Sequence, residues 1–422
     1  MPRVGLFPEL GKILLDHGFD FHGIAFDRVQ TNQSAGVRTH EFENLTPIAP
    51  ALDIDLGKVA GITGGNIHIS LAFLTLRANE PNYVIDGGGA LVANQQGTPA
   101  LSGHYLYGSE ITYEQRLLND RLSIEAGQTS VFRYFFLPNS LDPLTYYSTT
   151  VVVNGDFPTI PFPTWGGRAT YKLSPTWYAQ VGAFEDNFIR STTYPFAFGT
   201  RNSSGAQILA EVGYRTEFTT AAYPANLEVG VDYNTRSGYS NAKGAPAPAT
   251  RFTTAANYPG GGILYAQGLQ TIWRGAPNSG GPPANINVYG SFDVAVDKPQ
   301  PIDLDAIIGT NFTGLIPRRP FDALGLQAHY SRLSQVEAGF ETRAHNRFVG
   351  PGPSQSRDGF GFEVIGSVQA TPAVAFRPFV EYFVNPDNLG DVRLGRPKDG
   401  LELGLFTVVA LGRLLGTSTK PF

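Results

Sequence analysis

The sequence predicts an all-β chain: a sixteen-stranded antiparallel transmembrane β-barrel with a short N-terminal helix. Three observations predict it. Apolar and polar residues alternate with period two over segments about ten residues long, as a strand with one face in lipid and one in water requires. The connections alternate between short and long, the habit of outer-membrane barrels. No stretch of about 18 uninterrupted apolar residues occurs, so no helix is expected to span a bilayer. The most apolar run, Leu403 to Leu411, has strand length.

The elements follow in order. Residues 1–17 read as a short periplasmic segment whose Pro8 to His17 part forms a small amphipathic helix. No signal-peptide pattern opens the chain, so an exported protein would be numbered here from a mature or engineered start. Residues 18–422 read as one barrel. Its strands are expected at 18–31, 50–58, 65–77, 104–117, 121–128, 163–173, 176–186 and 206–217. They continue at 226–236, 262–274, 285–297, 303–315, 321–332, 360–370, 374–385 and 400–413. An even count puts both ends on the periplasmic side.

The hairpin around Ser174-Pro175-Thr176 shows the alternation best. Trp177, Ala179, Val181 and Ala183 share one face, while Tyr178, Gln180, Gly182, Phe184 and Asp186 share the other. Leu227, Val229, Val231 and Tyr233 oppose Glu228, Gly230, Asp232 and Asn234. Ile208, Ala210, Val212 and Tyr214 oppose Leu209, Glu211, Gly213 and Arg215. Long connections rich in Gly, Pro and Asn fall near 29–49, 78–103, 128–163, 186–206, 236–260, 333–359 and 386–399.

A water-soluble sandwich also has one dry face. Its polar stripe, however, would be rich in Lys and Glu. Here that stripe is rich in Gly, Ser, Thr, Asn and Gln, as a narrow wet lumen would be. Charged residues make up only 16% of the chain, against roughly 25% in ordinary soluble proteins. Trp177, Tyr171, Tyr214, Tyr233 and Tyr382 suit aromatic girdles at the two interfaces.

Composition excludes several functions. A net charge of -5 argues against a nucleic-acid partner, which needs a basic face. With no Cys there is no disulfide framework, thiol nucleophile or Cys-ligated zinc. The seven His are scattered without metal spacing, and neither a Gly-x-Ser-x-Gly elbow nor a Walker loop is present. Asp53-Ile54-Asp55 and Asp303-Leu304-Asp305 resemble fragments of calcium loops, but their spacing better fits pairs of lumen-facing carboxylates. No cofactor is implied.

Several segments resemble the carbohydrate-selective porins of the OprB family. The strongest runs from Phe360-Gly361-Phe362-Glu363 through Thr371-Pro372 to Phe376-Arg377-Pro378-Phe379-Val380-Glu381-Tyr382-Phe383-Val384-Asn385-Pro386. Tyr113-Glu114-Gln115 to Gly127-Gln128, Gly167-Arg168 to Trp177-Tyr178, Gly309 to Asp322, and Gly18 to Gly36 add to it. Two departures stand out. Thr417 to Pro421 breaks the alternation before Phe422, and Glu381 stands where the family often carries Gln.

The resemblance implies an outer-membrane porin for passive, sugar-selective diffusion of small carbohydrates. It also implies an inward-folded constriction loop at 128–165. A sugar path needs aromatics for ring faces and Arg, Asp, Glu or Asn for hydroxyls. In the loop the candidates are Arg133, Tyr134, Phe135 and Asp142, beside Phe136, Asn139, Tyr146, Tyr147, Asn154 and Asp156. On the wall, parity puts Arg168, Tyr178, Glu211, Asp232, Glu363, Arg377 and Glu381 on the lumen stripe. Any of these could instead brace the barrel; Arg377 and Glu381, four apart on one face, are an example. The implied partners are small carbohydrates and outer-membrane lipid or lipopolysaccharide, with a homo-oligomer left open. Two other readings stand beside this one: the same barrel passing other solutes, such as small acids or amino acids, and a non-conducting structural barrel in an envelope complex.

Overall fold

The computed structural model describes residues 5–78, 103–136, 163–186, 203, 205–235, 239–240, 257–258, 260–276, 281–297, 300–387 and 395–420. A short helix, α1 (Pro8–Asp16), leads into the first strand. The strands are β1 (Phe19–Asn32), β2 (Glu41–Asp55), β3 (Gly65–Ala78), β4 (Gly103–Leu117), β5 (Leu122–Thr129) and β6 (Thr164–Lys172). Next come β7 (Trp177–Asp186), β8 (Gly205–Arg215), β9 (Ala225–Asn234), β10 (Tyr239–Ser240), β11 (Asn257–Tyr258) and β12 (Gly261–Arg274). The rest are β13 (Asn285–Ala295), β14 (Ile302–Thr313), β15 (Ala323–Leu333), β16 (Asp358–Thr371), β17 (Val374–Val384) and β18 (Gly400–Ala410).

Two of these, β10 and β11, form a separate two-stranded ribbon, and the other sixteen close into one barrel. Every barrel strand pairs with its chain neighbours, and β1 closes antiparallel on β18 from Ile24 opposite Ala410 to Asn32 opposite Glu402. Closure satisfies every edge, which a strand-built membrane span requires.

The barrel is inverted relative to a soluble protein. On β9, Leu227, Val229, Val231 and Tyr233 are exposed, while Glu228, Asp232 and Asn234 are buried. On β17, Phe376, Val380 and Tyr382 are exposed, and Phe379, Glu381 and Phe383 are buried. Alternation therefore points the apolar side chains outward, where an apolar medium stabilises each large one by about 1.5–3 kcal/mol.

Aromatic side chains of the inner face lie across glycines on the adjacent strand. Tyr178 is directly opposite Gly213, Tyr265 opposite Gly230, Tyr289 opposite Gly309 and Phe379 opposite Gly404. A Cβ at Gly213 or Gly404 would stand 2.2 Å from the ring. Each ring thus needs bare backbone beneath it, and only one register supplies it.

The fold departs from the sequence-based expectation at the connections. The second strand starts at Glu41, not near residue 50. Pro47 falls in the long connection expected near 29–49, yet strand pairing to β1 continues on both sides of it. The expected end at 58 is instead α2 (Leu56–Ala60), because the Asp55 carboxylate accepts the Gly57 and Lys58 N–H groups and starts a helix. The 333–359 connection contains α3 (Gln335–Phe348), where Ser334 Oγ accepts the Glu337 N–H. That is a Ser-x-x-Glu helix start. The last strand yields at Ala410 to α4 (Leu411–Leu415). Leu6 and Phe7, just before α1, donate backbone bonds to the Leu414 and Leu415 carbonyls at 3.0 and 2.7 Å.

Candidate functional site: the lumen and its constriction

The inner face carries an apolar landing patch on β7, β8 and β12. Phe184 on β7, Leu209 on β8, and Ile263 and Tyr265 on β12 are buried apolar residues at lumen positions. The segment that follows β5 docks there. Strand β5 ends at Thr129, and a 3-10 turn (Val131–Arg133) folds the chain inward. Val131, Phe132, Tyr134, Phe135 and Phe136 pack on the patch. Phe135 meets Phe184 edge-on at 6.1 Å, Tyr134 lies nearly parallel to Phe184 at 6.0 Å, and Phe136 sits 4.4 Å from Tyr265. Gln180 Nε2 donates to the Tyr134 carbonyl at 2.8 Å. Buried rings of this size dominate packing energy, so this end of the loop is pinned to the wall.

The pin sets the place of Arg133. Its guanidinium pairs with Glu110 and, at 3.2 Å, with Glu125. Glu125 also takes Arg168 at 3.2 Å and the Thr112 hydroxyl at 2.8 Å. Both guanidiniums lie near the Tyr134 ring, Arg168 at 4.7 Å and Arg133 at 5.5 Å from its centroid. Glu125 is 1% exposed and Phe135 0%, whereas the Arg133 and Arg168 side chains keep 31% and 19%. Two arginines thus face the lumen on a buried carboxylate pivot and an aromatic backing.

Charged groups continue from there toward the short-turn end. Glu114 accepts from Ser123 at 2.6 Å and Arg116 at 3.1 Å, and lies 3.7 Å from His68. His68 Nδ1 is 2.7 Å and His22 Nε2 3.1 Å from Asp53. Lys420 joins Asp53 and reaches Asp20 at 3.0 Å. Burial alone would lower the Lys420 ammonium, but the Asp53 and Asp20 carboxylates outweigh it and hold it above the ordinary lysine value.

A second cluster braces the wall. Tyr178 donates to Glu211 at 2.9 Å and Glu228 at 3.0 Å. Tyr265 and Gln180 each donate to Glu211 at 2.8 Å, and Gln267 to Glu228 at 2.6 Å. On the far side, Glu363, Glu381 and Glu402 occupy successive register positions and are buried. Nearby, Arg28 and Glu43 form a buried pair at 2.7 Å, and Asp305 meets His329 at 2.8 Å.

The structure gathers Arg133, Tyr134 and Arg168 into one site, Tyr178 with Glu211 into another, and Glu363 with Glu381 into a third. Asp232 is buried on β9, and Arg377 is half-buried on the lumen face of β17. Asp142 lies outside the described residues, as do Asn139, Tyr146, Tyr147, Asn154 and Asp156. Sequence reasoning passed over Glu110, Glu125, Glu228 and Tyr265. Glu125 and Glu228 were legible as carboxylates on lumen parity, but a register shift between Ser70 and Leu71 hid Glu110. Phe184 and Leu209, apolar on a polar stripe, were the readable sign of the landing patch. Asp53 and Asp305 each contact His, and among the described residues no group of three or more His, Asp or Glu is arranged to hold a metal.

Solved barrels share this architecture. Pseudomonas putida OprB at high pH is 17% identical, with a TM-score of 0.77, over 96% of this chain and 99% of that one. The same protein at low pH gives 14% and 0.55 over 94% of each chain. Salmonella typhi OmpF with daunomycin gives 8% and 0.54 over 94% of this chain and 98% of that one. Porin B of Pseudomonas aeruginosa is 22% identical over 250 residues, 55% of this chain and 52% of that protein. The chain thus spans about half the length of that curated relative. The sequence profile of the "Carbohydrate-selective porin, OprB family" matches residues 16–408. Nearly the whole barrel lies within that match, and the chain belongs to the carbohydrate-selective porin, OprB family, as a barrel of the bacterial outer membrane.

Proposed function

We propose that the barrel is a passive channel for small carbohydrates, with Arg133 and Arg168 as its hydroxyl-binding edge. The observation that carries this reading is the pairing of two lumen-facing guanidiniums with Glu110 and Glu125 over Tyr134. Two positive and two negative groups balance, so the edge offers many hydrogen bonds with little net field. Such a surface favours neutral polyols over ions. A sugar hydroxyl both donates and accepts, and each guanidinium presents a rigid fork of donors. The guanidiniums keep their exposure while the carboxylate pivot is buried, so solute meets donors already oriented. Contact must stay weak for flux, and the internal ion pairs weaken it by competing for the same donors. The reading is a channel with no bond chemistry, surrounded by outer-membrane lipid including lipopolysaccharide.

Planar-bilayer recording tests it. Stable pores whose current falls as mono- and disaccharides are added, and falls less in Arg168→Ala, are the expected result. Pores indifferent to sugars would transfer the reading to other small solutes. Folded protein that forms no pores would leave a structural barrel.

A further inference from the structure

Helix α1 is tied at both ends to the short-turn rim of the barrel. At its start, Leu6 and Phe7 bond to α4, which follows β18. At its end, Lys58 Nζ of α2, which follows β2, donates to the Leu15 carbonyl at 2.7 Å. Between these ties, Gly11 lies so close to the chain after α4 that a Cβ would stand 2.1 Å from the Gly416 carbonyl oxygen. Nine residues of helix span about 14 Å. From β18 past β1 and β2 to β3 is three strand spacings, also about 14 Å. The helix therefore lies along the rim, in the plane of the membrane. Its faces differ in character. Pro8 and Gly11 meet Gly416 and Thr417. Glu9, Lys12 and Asp16 form an exposed polar face. Leu10 and Ile13, with Leu6 and Phe7 just ahead of the helix, are 50%, 56%, 65% and 54% exposed.

We propose that α1 is an interfacial helix, with Leu6, Phe7, Leu10 and Ile13 seated in the glycerophospholipid of the outer membrane's periplasmic leaflet. An amphipathic helix lying flat buries its apolar face at the headgroup–acyl boundary and keeps its charged face in water. Here Glu9, Lys12 and Asp16 supply that charged face. Continuity with the barrel's outer wall argues for lipid as the occupant. On β1, Asp20 and His22 turn to the lumen cluster around Lys420 and Asp53. Alternation then sends Phe19 and Phe21 outward, opposite Ile54 and Leu52 of β2. The apolar belt thus runs to the very ends of these strands. Exposed Val59 and Ile62 at α2 and Leu414 on α4 stand at the same rim. The apolar face of α1 extends that belt by one helix. Left in water, the four side chains would form a contiguous apolar patch of the kind that marks a contact surface. The N-terminal segment is in this reading a foot of the barrel resting in the bilayer, rather than an arm free in the periplasm.

The chain has no Cys, so a nitroxide can be attached at one position at a time. Leu10→Cys, Ile13→Cys, Glu9→Cys and Asp16→Cys are labelled in the full chain, reconstituted in phosphatidylcholine vesicles. Val229→Cys, on the exposed outer face of β9, is the lipid reference. Collisions are measured with oxygen, which enters lipid, and with a neutral nickel chelate, which stays in water. The oxygen-to-nickel ratio at Leu10 and Ile13 is expected to exceed that at Glu9 and Asp16 several-fold, at a depth of about 5–10 Å. Heat-modifiable migration on gels identifies the folded variants, and either apolar position carries the test if the other does not refold. Equal ratios on the two faces would put the helix in water and overturn the proposal. Weak collision with both reagents at Leu10 and Ile13 also overturns it, because protein and not lipid then covers that face.

Discussion

Tyr178 lies across Gly213 of the neighbouring strand while its hydroxyl donates to both Glu211 and Glu228. One side chain therefore joins a backbone fit to a buried hydrogen-bond cluster. Gly213→Ala places a methyl 2.2 Å from the ring, so the ring must swing away from both carboxylates. Overpacking of this kind costs about 1–3 kcal/mol. The urea midpoint of the barrel in micelles is expected to fall accordingly. In Tyr178→Ala the same glycine change should cost much less, a coupling that a double-mutant cycle measures.

Removing Arg168 leaves Glu125 with Arg133 alone among the two guanidiniums. Arg168→Ala is expected to shift the reversal potential in a salt gradient toward cation preference. Glu125→Gln is expected to shift it toward anions. An unchanged sign in both would show that this cluster does not face the ion path.

Phe135 is fully buried against Phe184, so its role is to hold the loop. Phe135→Ala should destabilise that docking by about 3–5 kcal/mol. Single-channel records of the variant are expected to show larger open-state current and more rapid flicker. Quiet records at wild-type conductance would place the loop's anchorage elsewhere.

Ser334 caps α3 through the Glu337 N–H at 3.1 Å. Ser334→Ala is expected to cost the helix about 1 kcal/mol. Hydrogen exchange at Glu337 and Ala338 should accelerate several-fold, with the barrel strands unaffected.

The turn between β14 and β15 carries a pH-dependent clasp. Burial by itself would raise the Asp322 carboxyl. Its bonds from Arg319 and from the Gln369 N–H at 2.9 Å instead hold it below the ordinary aspartate value. A lowered carboxyl binds fewer protons folded than unfolded. The clasp is therefore fully present above pH 3.8 and is lost as pH falls through the lowered value. Protection of the Gln369 amide should follow that curve. In Asp322→Asn it should be weaker at neutral pH and flat on acidification.

Most of the barrel was legible because period two is a strong signal when a strand sees lipid on one side and water on the other. The strands at 65–77 and 374–385 came within a residue of their observed bounds. Glu41 to Ala49 of β2 was not, because Pro47 looks like a loop residue when pairing partners are unknown. Helix α3 escaped notice because its sequence has weak apolar periodicity, although Ser334 and Glu337 announced its start. In the lumen, parity alone put Arg168, Tyr178 and Glu211 on one stripe, and in the structure Tyr178 reaches Glu211. It could not show that Arg133 and Arg168 share Glu125, since that depends on how a loop folds back across β4 to β6.

The polarity inversion of the wall also ties folding to address. A chain whose rim of Leu, Val, Ile, Phe and Tyr points outward has no settled shape in an aqueous compartment. It must travel open and close only on reaching a bilayer. For this barrel, becoming folded and becoming resident are one event, and a defect in either is visible as a defect in both.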